Sequence, residues 1–270
     1  NVLTFTIDPH DAKDFDDALS YQVGNNNNIL IGVHIADVSH YIKPNSELDK
    51  EAYLRGNSIY LVDRVVPMLP ERLSNELCSL RPNEDKLTFS VIFEVDSKHQ
   101  VVDFWIGKTI IHSDYRFAYE HAQEIIEGGE HKISKQILHL HKIAQHHRAK
   151  RLEKGALNIE SREVRFQLDE NGAPIDVMLK TSKEAHKLIE EFMLLANKKV
   201  ATVIGKPAKN KRITPSVYRI HEEPNPEKIS DLSIFLDQFD YSIVREKSKP
   251  ISSSLNKIMQ NQKEVLKKKF

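Results

Sequence analysis

A single cysteine, Cys78, stands among 270 residues, which excludes an internal disulfide framework and points to a reducing compartment, with the cytoplasm as the default reading. No apolar run approaches the ~20 residues that a bilayer-crossing helix needs, and Asn1-Val2-Leu3-Thr4 carries neither a basic segment nor a cleavage site. Neither a membrane nor export is therefore expected. Net charge is missing too, since 39 Lys and Arg balance 39 Asp and Glu. Any polyanionic partner must be met by local patches rather than by the whole chain. Internal repeats and long flexible linkers are also lacking. With no initiator Met and with Leu266-Lys267-Lys268-Lys269-Phe270 inside a helix read from about Ser254, both ends are expected to belong to something longer.

What is present, at 40% hydrophobic content, suffices for a substantial core. Strand-like runs at Val2 to Ile7, Ala18 to Val23 and Ile29 to Ile35 read as hairpin strands of one sheet. A helix is predicted from Ser46 to the stop signal Gly56, then a strand over Ser58 to Leu61. Two longer strands, Leu87 to Val95 and Val101 to Ile111, flank the polar turn Asp96 to Gln100. Helical spacing covers Ala118 to Glu127 and Lys132 to Lys154, the latter ending before Gly155. A hairpin follows (Val164 to Leu168, Ile175 to Leu179), then a long helix capped by Ser182 and running to about Val203. This pattern predicts an α+β fold, a mixed and mainly antiparallel sheet flanked by long helices, as a single domain over residues 1–270.

The stretch Thr6 to Ala18 carries the chemistry, because Asp8, Asp14, Asp16 and Asp17 fall in the spacing D-x5-D-x-D-D between two strands. Four anions in one loop repel one another and take up protons unless a cation neutralises them. All-oxygen donors favour Mg²⁺, Mn²⁺ or Ca²⁺ over zinc. An EF-hand fails here: a loop starting at Asp14 puts Leu19 where glycine is required and Asn25 at the last ligand position. Mg²⁺ held by a few carboxylates suits phosphoryl chemistry. The competing reading is a solvated Asp-rich turn with capping roles.

Asp11-Ala12-Lys13-Asp14-Phe15-Asp16-Asp17-Ala18, then Ile31-Gly32-Val33-His34-Ile35-Ala36-Asp37-Val38, Ser58-Ile59-Tyr60, Val66-Pro67-Met68-Leu69-Pro70 and Leu73-Ser74-Asn75-Glu76-Leu77-Cys78-Ser79-Leu80 closely resemble the ribonuclease II and ribonuclease R family. Looser similarity continues through Ile111-His112-Ser113, Tyr119, Leu188 to Asn197 and Tyr218-Arg219-Ile220-His221. The resemblance implies an incomplete RNB-type catalytic domain acting on single-stranded RNA. The implied reaction is processive, Mg²⁺-dependent hydrolysis from the 3′ end to nucleoside 5′-monophosphates, with Mn²⁺ as an alternative ion. It also implies that Asp8, Asp14, Asp16 and Asp17 organise the metal, with Asp16 the most critical for cleavage. Tyr60 corresponds to a tyrosine packing on the terminal base, Tyr119 to another nucleotide-contacting tyrosine, and Glu190 to a carboxylate near the 3′ ribose. Stacking on aromatic rings is tolerant of base identity.

Ile159 departs from the family, standing where an aromatic partner of Tyr60 is usual, and nothing after His221 resembles the family's segment with a catalytic arginine. The stretch alone is thus expected to be inactive or feeble. A noncatalytic RNA-binding module with a structural metal is the rival reading, and a metal-dependent DNA nuclease or phosphatase lacks the tyrosines. Gly107-Lys108-Thr109 is no phosphate loop, because Val102 replaces its leading glycine, so no nucleotide cofactor is expected. His139, His141, His146 and His147 lack the four-residue spacing of a helical metal pair and read as solvated. Lys206, Lys209, Lys211 and Arg212 form a basic segment that reads as an exposed loop or a phosphate contact. Oligomeric state is open.

Overall fold

The computed structural model describes residues 2–159, 163–205, 215, 217, 218, 220, 224–244 and 251–269. The chain divides into two compact units, Asn1–Ala144 with Arg162–Val200 and Gln145–Ser161 with Ala201–Phe270, where the sequence pattern suggested one domain. Two of these boundaries fall inside helices, so no shift of composition marks them.

The first unit is built on a six-stranded sheet in the order β7-β6-β3-β2-β1-β8. Its strands are β1 (Leu3–Asp8), β2 (Asp17–Val23), β3 (Ile29–Ala36), β6 (Asp85–Val95), β7 (Val101–His112) and β8 (Tyr115–Ala118). Every ladder is antiparallel except β1 with β8, which runs parallel in the register Phe5↔Tyr115 to Asp8↔Ala118. The mixed, mainly antiparallel α+β architecture predicted from the sequence is present. Between β3 and β6 lie α1 (Val38–Tyr41), α2 (Glu47–Arg55), the two-stranded β4 (Ile59–Tyr60) with β5 (Val65–Val66), and a π-helical turn at Arg72–Leu77. Ser46 caps α2 by accepting from Asp49 N at 3.3 Å, and Gly56 ends it at φ 74°, both as read from the sequence.

Alternation sorts the strand residues onto two faces. Phe5, Ile7, Leu19, Ile31, Val33, Val91 and Phe93 pack under α3 (Tyr119–Ile126), α4 (Ser134–Glu153) and α5 (Glu184–Gly205), which contribute Ile125, Ile137, Leu140, Ile143, Leu188 and Phe192. The opposite face holds hydroxyls around the buried His34, whose Nδ1 lies 2.6 Å from Ser90 Oγ and whose Nε2 lies 2.9 Å from Ser20 Oγ. Gly32 makes room for this chain, since a Cβ there would come within 2.3 Å of both His34 Nε2 and Ser20 Oγ. The Gly-x-His spacing of that motif is thus a packing requirement of the sheet.

Two expectations change. His141 is buried in the core under α4, and His139 Nδ1 pairs with Tyr21 Oη at 2.9 Å, so these imidazoles are not solvated as the sequence suggested. The two leave α4 on different sides, His139 toward Tyr21 of β2 and His141 toward Glu184 of α5 at 3.9 Å. Ser182 lies two residues before α5, and the Ala185 N–H that it would cap donates instead to Gln123 Oε1 at 3.0 Å, while the Lys183 N–H donates to His186 Nδ1 at 3.2 Å. The hairpin β9 (Glu163–Leu168) with β10 (Pro174–Lys180) leaves Ile175, Val177 and Leu179 exposed.

In the second unit, α6 (Pro226–Asp237) starts at Asn225, whose side chain accepts from Glu227 N and Lys228 N, and α7 (Ile251–Lys269) holds the 156–158 segment through Asn256. Among the described residues no helix is long and apolar enough to cross a membrane.

Burial holds the His34 imidazole down at about 4, against 6.5 when free. A depressed histidine contributes stability that is present above about pH 6.5 and is lost as pH falls through its folded value. His34→Gln is therefore expected to be less stable than the parent chain at pH 7 and to converge toward it near pH 4. The acid-linked part is on the order of 3 kcal/mol, read by denaturant unfolding across that range; a gap independent of pH would refute it.

Candidate functional site

The acidic loop is pinned by one apolar side chain. Phe15, 9% exposed, joins Ala18, Ala36, Cys78, Leu80 and Ile111 in a second apolar cluster. Its backbone is fixed on both sides: Phe15 N donates to Ser79 Oγ at 3.0 Å, and Leu80 N donates to Phe15 O at 2.9 Å. Ser79 Oγ in turn donates to Lys13 O at 2.9 Å. From β8, Arg116 Nη2 donates to the carbonyls of Pro9 and His10, each at 2.7 Å, while its guanidinium sits 5.4 Å from the Phe15 ring centre. Asp14 and Asp16 flank this anchor, and Asp8 and Asp17 are the last and first residues of adjacent antiparallel strands.

Proximity and partial desolvation have their expected electrostatic result. Burial pushes the Asp8 carboxyl up to about 7, the charge of Asp17 adds to this, and Arg116 opposes it. The Thr6 hydroxyl moderates that rise without reaching hydrogen-bond geometry. Asp17 is pushed up to about 6 by burial and then by Asp16, and Asp16 is raised by desolvation and by Asp14. One oxygen on each of Asp8 and Asp17, Oδ2, is buried with no hydrogen-bond partner among the described residues. Buried carboxylate oxygens left this way are costly and call for a proton or a cation.

Beside the loop lies a cavity of about 940 Å³ whose lining includes Pro9, Asp14, Tyr60, Asn75, Tyr119 and His186. Tyr60, 71% exposed, comes from the β4–β5 hairpin. Tyr119 is the first residue of α3, directly after the Ala118 that pairs with Asp8, and burial together with Asp17 and Asp8 pushes its phenol up to about 12. The structure thus brings Asp14, Tyr60 and Tyr119 to one cavity. Glu190 is exposed on α5, one turn beyond His186, and does not line it. Ile159, 68% exposed, belongs to the second unit. Lys206, Lys209, Lys211, Arg212, Arg219 and His221 lie outside the described residues.

The RNB domain family matches residues 1–269. The chain belongs to that family. Ribonuclease R of Thermotoga maritima is 45% identical over 238 residues, 86% of this chain and 33% of the relative. DIS3-like exonuclease 2 of Schizosaccharomyces pombe is 39% identical over 286 residues, covering 100% of this chain and 30% of the relative. Mycoplasma genitalium RNase R, solved in complex with ribose methylated single-stranded RNA, superposes with a TM-score of 0.85 at 28% identity, over 97% of this chain and 41% of its own. The chain spans about a third of the length of the curated relatives it matches.

Within this RNB fold, the donors fit a hard divalent cation in kind, since two orphaned carboxylate oxygens of raised proton affinity are what such an ion satisfies. Their arrangement is looser than a finished site: among the described residues no three His, Cys, Asp or Glu side chains are grouped so as to hold a metal. Sequence reading missed three residues that build the loop, namely Phe15, Ser79 and Arg116. Phe15 and Ser79 stood inside the quoted motifs, and a lone apolar residue amid aspartates was the available signal for the first. Arg116 carried none, because its partners are carbonyls more than a hundred residues away.

A raised carboxyl contributes stability that is fully present below its unfolded value, near 4, and is lost as pH rises through the folded one. In chelator-treated buffer the first unit is therefore expected to weaken between pH 4 and pH 8 as Asp8 ionises. Asp8→Asn should match or fall below the parent at pH 4 and exceed it at pH 8, by thermal melting. A variant less stable than the parent by the same amount at both pH values would contradict the burial argument.

Proposed function

We propose that this chain is the catalytic core of an exoribonuclease that hydrolyses single-stranded RNA from the 3′ end, releasing nucleoside 5′-monophosphates processively, with Mg²⁺ as its metal and Mn²⁺ as a substitute. The observation carrying this reading is the buried Asp8 beside the half-buried Asp17, each with one unsatisfied oxygen, set beside a cavity walled by Asp14, Tyr60 and Tyr119. Family membership and the single-stranded RNA held by the Mycoplasma genitalium relative support it. The lone cysteine, Cys78, buried and free, accords with a cytoplasmic setting.

In this mechanism Asp8, Asp14, Asp16 and Asp17 would hold the metal, which would supply an activated water and neutralise charge on the scissile phosphate. Tyr60 offers an exposed ring to the terminal base, a contact worth ~1–3 kcal/mol. The Tyr119 phenol, kept protonated at neutral pH, is a hydrogen-bond donor toward phosphate or water in the cavity. By family resemblance Glu190 would accept from the hydroxyls of the 3′-terminal ribose, of which the 2′-OH distinguishes RNA from DNA, from a position outside the lining of this cavity. The alternative is a noncatalytic RNA-binding module with a structural metal site.

Two measurements separate these readings. In the full-length protein, Asp16→Asn is expected to reduce cleavage of a 5′-labelled single-stranded RNA by at least about a hundredfold while RNA binding changes less than about threefold, because an anionic ligand is lost at constant size. Near-normal turnover would remove Asp16 from its role. Addition of Mg²⁺ should raise the melting temperature of the parent chain more at pH 8 than at pH 5, where Asp8 and Asp17 carry protons, and Asp8→Asn should lose most of that rise. An equal rise in parent and variant would place the ion elsewhere.

A further inference from the structure

His186 and Tyr119 form the closest ring stack in the described structure, with centroids 3.9 Å apart and planes 8° from parallel. Both line the cavity. The imidazole is held from behind, because its Nδ1 accepts the Lys183 N–H at the start of α5. The start of α5 is also tied to the middle of α3, since Ala185 N donates to the Oε1 of the buried Gln123 at 3.0 Å. The stack therefore joins two fixed helix starts and is not a chance meeting of surface rings. It has a consequence for Tyr119: with one ring face covered by His186, that face is closed to a nucleobase. The tyrosine hydroxyl remains for chemistry, and Tyr119 directly follows the Ala118 that pairs with Asp8, within reach of the Asp17 and Asp8 charges.

We propose that His186 is a positioning residue, whose stacked imidazole fixes the Tyr119 ring so that its hydroxyl is aimed at the substrate phosphate region beside Asp8 and Asp17. This inference rests on the exoribonuclease reading for its substrate. It divides the aromatic work of the cavity: Tyr60, exposed on its hairpin, stacks on a base, whereas Tyr119 presents an oxygen.

The test is a double-mutant cycle in the full-length protein, with kcat and KM measured on single-stranded RNA and melting temperature followed in parallel. His186→Ala is expected to lower kcat about three- to tenfold, the worth of one aromatic stack, with a smaller change in KM. His186→Phe, which keeps a ring but not the nitrogen acceptor, should recover most of the rate. In a Tyr119→Phe background, His186→Ala should add nothing further. Multiplicative losses would mean that His186 acts on RNA by itself, and failure of His186→Phe to recover activity would mean that the Lys183 contact is what matters; either result overturns the proposal. Proton resonances of selectively labelled Tyr119 give a readout that needs no RNA. Their ring-current displacement should vanish in His186→Ala and persist in His186→Phe, and unchanged resonances in His186→Ala would also overturn it. A parent protein that leaves RNA intact would instead defeat the nuclease reading, and the resonances would still decide whether His186 sets the ring.

Discussion

Carboxylates partly stripped of water, Asp8 most of all, are the constraint around which this molecule is arranged. Asp8 and Asp17 sit at the ends of neighbouring strands, half-deprived of solvent and each with an oxygen that no described side chain satisfies. A sheet alone would not tolerate this, since each charge favours either a proton or escape into solvent. The escape is blocked by Phe15, whose burial anchors the loop, and by the backbone bonds from Ser79 and Leu80 that fix it. Arg116 holds the outer part of the loop through two carbonyls, and its charge opposes the rise at Asp8.

The rest of the first unit can be understood as support for that arrangement. The parallel join of β8 to β1 brings Ala118 opposite Asp8, and so starts α3 with Tyr119 at the acidic end of the sheet. Packing of α3, α4 and α5 under one face supplies the apolar burial that offsets the cost of a polar, hydroxyl-lined opposite face. On that opposite face His34 is a neutral bridge between two serines and Gly32 is the space it needs, so a motif that looks chemical is structural. Asp37 of the same motif is buried and paired with Lys108 at 2.8 Å, which gives the decoy Gly107-Lys108-Thr109 an ordinary role in the sheet.

Much of this was legible beforehand. Strand alternation, the Ser46 cap and the Gly56 stop are local signals, and each appears where the sequence put it. The start of α6 at Asn225-Pro226 was equally local and was passed over, although asparagine before proline is a strong helix opening. The histidines of α4 show the opposite situation. Their spacing argues against a metal pair, yet nothing in the helix itself tells which imidazoles face a sheet that lies far off in sequence. The same holds for Ser182, a good cap by residue type, because the Ala185 N–H it would serve donates instead to Gln123, 62 residues earlier.

The sequence by itself determined the fold class, most element boundaries and the crowding of Asp8, Asp14, Asp16 and Asp17 into one loop, because periodicity, caps and charge density are properties of neighbouring residues. Only the tertiary structure decided which of those carboxyls lose their water, that Phe15, Ser79 and Arg116 hold them there, and that His186 closes one face of Tyr119. Those outcomes depend on partners brought together from 60 to more than a hundred residues apart. The desolvation and contact that set them exist only after the strands and helices have packed.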